Sequence, residues 1–465
     1  MTPEDLRVAG TAIPGLLVVT LPVHGDDRGW FKENWQREKM IALGLPDFGP
    51  VQHNVSFNAS TGTTRGIHAE PWDKLVSVTT GRAFGAWVDL RPGETFGTVV
   101  THELHPGVAV FVPRGVGNAF QVLEDATAYS YLVNDHWRAD ATYAAVNVAD
   151  ETLAITWPIG LADAALSAKD RDAPRLTDVT PVPPRRTLVL GANGQLGRAL
   201  RAALPRADAF GRAELDITDP AALGALDWSA YDTVVNAAAY TAVDAAETPD
   251  GRREAWATNV TAVAALARIA VDHRLTLVHV SSDYVFDGTR PEHGEDEPCS
   301  PLGVYGQTKA AGDALVSTVP RHYVVRTSWV IGDGGNFVAT MARLAGSGVS
   351  PSVVDDQVGR LTFTTDLAAG IAHLLQTGAP YGTYNLTCSG EPQSWADVAA
   401  DVFAASGRDR ADVTRVSTAE YGAGKAMAPR PAHSVLRLDK IRATGFEPRD
   451  GRRALAEHLS DGLRA

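Results

Sequence analysis

A short proline-rich seam, Asp178-Val-Thr-Pro-Val-Pro-Pro-Arg-Arg186, separates two stretches whose hydrophobic patterns demand different folds. Three prolines within four residues strip the backbone of donors and hold it extended, which suits a linker rather than a strand or a helix. Before the seam, short apolar runs (16–21, 51–57, 75–79, 83–90, 108–113 and 127–134) alternate with turn residues, and helical periodicity is nearly absent. That spacing predicts an all-β sandwich or barrel. Beyond it, strand-like runs at 187–190, 233–235, 275–280 and 323–326 alternate with Ala-rich helical segments such as 261–271. Alternating β and α elements predict a parallel sheet covered on both faces. The expected domains are therefore 1–180, all-β, and 187–465, α/β, with no internal repeat relating them.

Composition narrows the function. Among 465 residues, 42 Lys and Arg face 55 Asp and Glu, a net charge of −13 with no long like-charged block. A nucleic-acid polymer is thus not expected as a partner, because phosphate-backbone binding needs clustered cations. Cys299 and Cys388 are too few for a disulfide framework and lie in no C-x-x-C motif, which points to the reducing cytoplasm. The acidic N-terminus lacks an apolar signal core, and no run of about 18 apolar residues occurs, so no membrane association is expected.

In the second half, Gly191-Ala-Asn-Gly194-Gln-Leu-Gly197 leads from a strand-like run into a helical one. Glycines there let a pyrophosphate approach the backbone, and a helix N-terminus offers it unpaired N–H groups. Asp216, about 20 residues on, stands where such folds place an adenosine contact, and it could equally cap a helix before Pro220. Tyr305 and Lys309, four apart, share one face of a helix, and Ser282 ends a strand-like run. A Tyr and a Lys at that spacing are ordinarily a solvated helix face. Joined to the glycine turn and the serine, they form a proton donor for a ketone undergoing reduction: the ammonium stabilises the phenolate, and the serine holds the carbonyl.

Residues 186–465 resemble the extended short-chain dehydrogenase/reductases and, within them, the dTDP-4-dehydrorhamnose reductases. The resemblance is carried by the glycine turn, Val235-Asn-Ala-Ala-Ala-Tyr-Thr-Ala-Val-Asp-Ala-Ala-Glu247, Ser281-Ser-Asp-Tyr-Val-Phe-Asp-Gly288, Tyr305-Gly-Gln-Thr-Lys309, Arg326-Thr-Ser-Trp-Val330, Asp356-Gln-Val-Gly359 and Arg430-Pro-Ala-His-Ser-Val-Leu436. It implies a Rossmann-type doubly wound sheet with a small substrate-binding lobe, and NADPH or NADH as cofactor. By the same resemblance, Gly194, Gln195 and Leu196 meet the pyrophosphate, with Gly191 and Gly197 also cofactor-binding residues of that turn, Asp216 and Ile217 meet the adenosine end, and Ala238, Ala239 and Tyr240 the middle of the dinucleotide. Tyr305 and Lys309 are then the catalytic pair, also touching the cofactor, while Ser282, Asp283 and Trp329 meet the sugar nucleotide. Arg212 would favour a 2′-phosphate. Ser282 replaces a usual Thr, Leu361 a usual Pro and Asp313 a usual Glu. Ala199 stands where some members have a metal-ligating Glu, so no metal is expected there.

In the first half, Arg65-Gly-Ile-His68-Ala-Glu-Pro-Trp-Asp-Lys74 gathers two cations around a histidine, with Tyr131 elsewhere in the β-pattern. A lone histidine in a β-fold is ordinarily structural, but Arg65 and Lys74 could bind a diphosphate or stabilise an enolate oxygen. Residues 10 to about 178 resemble the dTDP-4-dehydrorhamnose 3,5-epimerases, a cupin-type jelly roll. The matching stretches are Asp27-Arg-Gly-Trp-Phe-Lys-Glu33, Gln52-His-Asn-Val-Ser56, Arg65-Gly-Ile-His68, Val88-Asp-Leu-Arg-Pro-Gly-Glu-Thr-Phe-Gly97 and Leu166-Ser-Ala-Lys-Asp170. The resemblance makes His68 the general base, Asp170 its orienting carboxylate and Tyr131 the acid on the opposite face. Arg28, Glu33, Gln52, Asn54, Arg65, Lys74 and Lys169 would line the nucleotide-sugar site, with Asn118 where many members carry a second histidine; Trp137 replaces a common Tyr. The family also implies a homodimer by strand exchange. His53, His68, His102 and His105 lack the usual metal-binding spacing, and no metal is expected here either.

Together the resemblances imply a bifunctional enzyme that epimerises dTDP-4-dehydro-6-deoxy-D-glucose at C3 and C5 and then reduces its C4 ketone to dTDP-L-rhamnose, a sugar donor for polysaccharide. Two other readings compete: a related dTDP-deoxysugar as substrate, or one half acting only as a binding, oligomerisation or regulatory module.

Overall fold

Tyr129 and Tyr131, two apart on the strand Thr127–Val133, share one face. With Val76 and Val78 of the adjoining strand Lys74–Thr80 they belong to the interior of a two-sheet sandwich. The computed structural model describes residues 5–137 and 143–462, and the chain divides into two units between Pro184 and Arg185. In the first unit, one sheet runs Arg7–Gly10, Leu17–Thr20, Val108–Val112, Lys74–Thr80, Thr127–Val133 and Gln52–Asn58 in spatial order. The other runs Ala144–Ala145, Thr64–Ala69, Val116–Val122, Ala83–Asp89 and Val99–Leu104. Ile13, Leu16, Trp87, Val110 and Phe120 fill the space between, and Tyr131 lies half-buried at the margin of that core. The expected all-β jelly roll is what forms. Each apolar run becomes a strand within a residue or two, whereas Thr64–Ala69 and Val116–Val122, broken by glycines and polar residues, carry no such signal.

The second unit is built on six parallel strands: Asp208–Phe210, Arg186–Leu190, Tyr231–Asn236, Thr276–Ser282, His322–Thr327 and Gly382–Asn385 in spatial order. Successive side chains enter opposite cores, as the period of two requires. Leu188, Leu190, Val234, Leu277 and Val324 pack with the helix Ala262–Asp272 on one face. Val189, Val235, Val278, Tyr323 and Val325 pack with Gln195–Ala203 and Thr364–Thr377 on the other. This doubly wound sheet agrees with the expected Rossmann-type fold. A third core, around Val338, Met341, Phe363, Val398 and Phe403, belongs to a lobe with helices Phe337–Gly346 and Trp395–Ala405. Strand order reverses between Arg186–Leu190 and Tyr231–Asn236, and ligands of such sheets bind beyond the carboxyl ends of the strands at that reversal.

Candidate active sites

A cleft of about 320 Å³ in the first unit brings together Arg65, His68, Lys74, Tyr131, Lys169 and Asp170, with Asn118 on its wall. Arg65 and His68 are three apart on one strand and would ordinarily face opposite sides. A register shift resolves this: Asn118 pairs with His68 and Phe120 with Arg65, so three residue steps oppose two, and both side chains reach the cleft. Gly66 sits inside this bulge at φ +115°, where a Cβ would lie 2.6 Å from both the Ala119 Cβ and the Asn118 carbonyl oxygen. Gly66→Ala is expected to straighten the bulge and cost any activity of this cleft at least tenfold, without slowing chemistry in the second unit; assaying the two separately checks this.

His68 Nε2 stands 2.8 Å from Asp170 Oδ1. Asp170 lies on the short helix Ala168–Arg171, whose cap Ser167 accepts its N–H. Burial pushes the Asp170 carboxyl up, but the contact with His68 and hydrogen bonds from Ser167 and Gly66 outweigh it and hold the group below its usual value. An ionised partner at Nε2 keeps that nitrogen protonated and leaves Nδ1 as the basic atom. From the other sheet, Tyr131 has its phenol pushed up by burial and by the Glu70 charge, against Arg65, so it remains a proton donor. Its neighbour Tyr129 is fully buried, stacks on Phe120 at 3.9 Å and donates to Asn118 Oδ1. Trp87 Nε1 donates to the same oxygen at 2.8 Å. Two donors fix the Asn118 amide and leave its NH₂ group for a ligand. Glu70, not foreseen as a site residue, pairs with the buried Lys74; its spacing of four from Lys74 was the available signal.

Four expected site residues do not line this cleft within one chain. Arg28 is on the exposed hairpin His24–Asp26 and Gly29–Phe31, paired with Asp26, and Glu33 pairs with Lys39 at 2.6 Å. Gln52 and Asn54 hydrogen-bond each other on the edge strand Gln52–Asn58, where Asn54 lies opposite Tyr131.

In the second unit a cleft of about 290 Å³ at the strand-order reversal is lined by Gly191, Gly194, Asp216, Ile217, Ala238, Ala239 and Tyr240, all expected there. Gln195, Leu196 and Gly197 form the first turn of the helix behind it, with Gly194 as cap. Their N–H groups precede the first intrahelical bond and remain available. The turn tolerates only glycine at its ends: a Cβ on Gly191 would stand 2.7 Å from Ala238 N, and one on Gly197 2.1 Å from the Gly191 carbonyl oxygen. A backbone cradle of this kind fits a dinucleotide pyrophosphate. Asp216 does not cap the helix Pro220–Ala225, a role taken by Asp219. It accepts from Thr218 N–H, from the Thr218 hydroxyl and from Arg212, which hold its carboxyl below the usual range. Asn193 and Thr258 line the cleft too and were not foreseen.

Tyr305 and Lys309 lie on the helix Val304–Val316, and Ser282 ends the strand Thr276–Ser282. Burial pushes the Tyr305 phenol up, while a hydrogen bond with Ser282 opposes the shift. Lys309, 1% exposed, donates to the Val280 carbonyl at 2.7 Å. Burial lowers its pKa to about 8 against the pull of Asp313. Burial likewise raises Asp283 to about 6, opposed by the Ser434 and Ser282 hydroxyls. Trp329 stacks on Trp395 at 3.7 Å. Beside this pair lies a cleft of about 250 Å³ lined by Tyr284, Gln357, Trp395, Tyr421 and Arg430; its residues were not foreseen as ligands, although Tyr284, Gln357 and Arg430 fall in motifs that carry the resemblance.

Residues 10–178 match the family model for dTDP-4-dehydrorhamnose 3,5-epimerase, and residues 185–463 match that for the RmlD substrate binding domain. A "Protein RmlC homolog" of Streptococcus pyogenes is 52% identical over 180 residues, which are 37% of this chain and 90% of that protein. The dTDP-4-dehydrorhamnose reductase of Streptomyces griseus is 42% identical over 294 residues, 60% of this chain and 94% of its own length. A crystal structure of dTDP-4-dehydrorhamnose reductase from Bacillus anthracis in complex with NADP superposes with a TM-score of 0.55 at 33% identity, covering 60% of this chain and 99% of that one. Each half therefore spans nearly the whole of a separate protein.

Proposed function

The chain belongs to the dTDP-4-dehydrorhamnose 3,5-epimerase family through its first unit and to the RmlD reductase family through its second, and we propose from that premise that it makes dTDP-L-rhamnose in two consecutive steps. The first unit epimerises dTDP-4-dehydro-6-deoxy-D-glucose at C3 and C5, and the second reduces the C4 ketone with NADPH. The observation that supports this reading is that His68, paired with Asp170, shares a cleft with Tyr131 in the first unit, and that Tyr305, bonded to Ser282, shares a helix with Lys309 in the second: the groups each proton transfer needs.

C3 and C5 both flank the C4 carbonyl, so one base can serve both. His68 Nδ1 removes the proton, Asp170 stabilises the resulting imidazolium, and Arg65, Lys74 and the Asn118 amide hold the enolate oxygen. Tyr131 then returns a proton from the opposite sheet, which inverts the carbon. Lys169, Gln52 and Asn54 extend the site along the nucleotide. Arg28 and Glu33 fit a site completed by a second copy of the chain. Val55 and Phe57, 58% and 63% exposed on the edge strand Gln52–Asn58, favour such a homodimer, because an open apolar edge invites a partner strand. A monomer in sedimentation at micromolar concentration would remove that element.

In the second unit, Gly191, Gly194, Gln195, Leu196 and Gly197 cradle the pyrophosphate, Asp216 and Ile217 the adenosine end, and Ala238, Ala239 and Tyr240 the middle of the dinucleotide. NADPH bound there supplies the hydride for C4. Ser282 holds the ketone oxygen, Tyr305 gives it a proton, and Lys309 stabilises the phenolate. Asp283 and Trp329 position the sugar, and the cleft beside Trp395 has room and aromatic walls for the base. Arg212 lines this cleft, and its guanidinium, paired with the ionised Asp216, offsets the carboxylate charge that would otherwise repel a 2′-phosphate. Arg212→Ala is expected to raise the KM for NADPH about tenfold and leave that for NADH unchanged, as befits one lost charge-assisted hydrogen bond.

A cytoplasmic location is part of the proposal and rests on its ligands, a nucleotide sugar and NADPH. Both cysteines are free, and among the described residues no helix is long and apolar enough to cross a membrane. The reading is tested by adding dTDP-4-dehydro-6-deoxy-D-glucose to the chain with NADPH. Stoichiometric NADPH oxidation is expected, and none would sink the two-step assignment.

A further inference from the structure

Two buried polar side chains behind Lys309 have no part in the mechanism above. Asn236 ends the strand Tyr231–Asn236, and His279 lies opposite it on the neighbouring strand; each is 1% exposed. Four contacts run in line. Ala238 N–H donates to Asn236 Oδ1 at 3.1 Å, Asn236 Nδ2 lies 3.2 Å from His279 Nδ1, His279 Nε2 lies 3.3 Å from Lys309 Nζ, and Lys309 donates to the Val280 carbonyl at 2.7 Å.

The hydrogens in this line can be counted. A backbone N–H can only donate, so it fixes the Asn236 oxygen towards Ala238 and leaves Asn236 NH₂ facing His279. That group also only donates, so His279 Nδ1 must be the acceptor and Nε2 must carry the ring proton. The Nε2–H then faces Lys309. If Lys309 is an ammonium, two donors oppose each other at this contact; if His279 takes the other tautomer, the clash moves to Asn236. A neutral imidazole has one donor and one acceptor and cannot satisfy a donor-only group on each side. The conflict ends when Lys309 gives up one proton, because the amine lone pair then accepts from His279 Nε2–H. His279 keeps one N–H throughout, and the released proton leaves the line from Lys309.

We propose that Asn236 and His279 are positioning residues for the reduction: they lock the imidazole as its Nε2–H tautomer, which makes Lys309 a group that releases and regains a proton instead of a permanent cation. Lys309 can then restore the proton that Tyr305 gives to the substrate oxygen. The line also ties Lys309 to the backbone of Ala238, a residue of the dinucleotide cleft. The other groups around Lys309 fit this role. Asp313 and Tyr305 lie on its own helix, and Asp283 and Tyr284 follow Ser282. Arg326, on the next strand, holds Asp313 at 3.0 Å and draws its charge away from Lys309. The turn Ala257–Thr261 contributes neutral Asn259, bonded to Thr308. Burial and the nearby lysine hold the His279 imidazole far below its usual range, consistent with a ring that stays neutral.

The inference rests on the reductase reading of Tyr305 and Lys309, and its test reads the cofactor-free chain. Nitrogen-15 NMR of the full chain labelled in histidine and lysine, assigned through His279→Ala and Lys309→Met, reports the tautomer and the lysine titration directly. The expected result is a neutral Nε2–H tautomer for His279 at every pH where the protein is folded, with Lys309 titrating near 8. In Asn236→Asp the carboxylate accepts from the ring, so the tautomer reverses and Nε2 accepts from the ammonium. The Lys309 midpoint should then rise by at least one pH unit, and the alkaline limb of kcat should rise with it while the KM for NADPH stays unchanged. In the His279→Ala background the same substitution should shift the midpoint by less than half as much. An Nδ1–H tautomer in the unsubstituted chain, or an equal shift with and without His279, overturns the proposal. Should the chain reduce no 4-ketosugar while these titrations hold, the reductase reading fails and the coupling stands.

Discussion

His68→Ala is expected to lower epimerisation about a thousand-fold, the range in which a positioned general base acts, or ~4 kcal/mol of barrier. Deuterium from solvent should no longer enter C3 or C5, and NADPH oxidation with the unepimerised ketone should stop for want of substrate. Supplied with ketone already epimerised, the variant should oxidise NADPH at the unsubstituted rate, because the reducing residues all lie beyond Arg185. Loss of the second activity as well would mean that the substitution unfolds the chain or that the two sites are not independent. The fold is expected to survive: His68 is half-buried, the side-chain partner of its ring among the described residues is Asp170, and Ser167 and Gly66 still hold that carboxylate.

Tyr305→Phe should do the reverse. The ring stays packed beside Val304 and Ala246, and Ser282 keeps its bonds to Asp283 and to the Tyr284 N–H, so only the acidic hydroxyl is lost. Reduction is expected to fall by about a thousand-fold while solvent exchange at C3 and C5 continues. Because burial raises the phenol, Tyr305 stays protonated throughout the neutral range, and the loss should be equally deep from pH 6 to pH 8. A variant retaining more than a tenth of the unsubstituted rate would assign the proton to another group, with Asp283, raised to about 6, the first to examine.

Much of this was legible because it is local. The glycine turn, the Tyr305–Lys309 spacing and the apolar runs each sit within a few residues, where a period of two or of 3.6 can be read directly. What escaped depends on residues far apart in the chain. The bulge that turns Arg65 and His68 into one cleft exists only in the pairing with Asn118 and Phe120, some fifty residues on. The Asn236–His279–Lys309 line is assembled across three separate elements, and no spacing foretells which way an amide must face. Asp216 was open between cap and ligand because an Asp before Thr and Pro supports both; the cap proved to be Asp219, directly before Pro220. Arg28 and Glu33 belong to a motif read as site, yet they lie on surfaces that a single chain does not bring to His68.

The central claim is that one chain performs both steps, and isotopic labelling reads both in one product. Incubated in deuterium oxide with unlabelled NADPH and dTDP-4-dehydro-6-deoxy-D-glucose, the chain should yield dTDP-L-rhamnose carrying deuterium at C3 and C5 and protium at C4. A reduced product with protium at C3 and C5, or an exchanged 4-ketosugar that is never reduced, would contradict it.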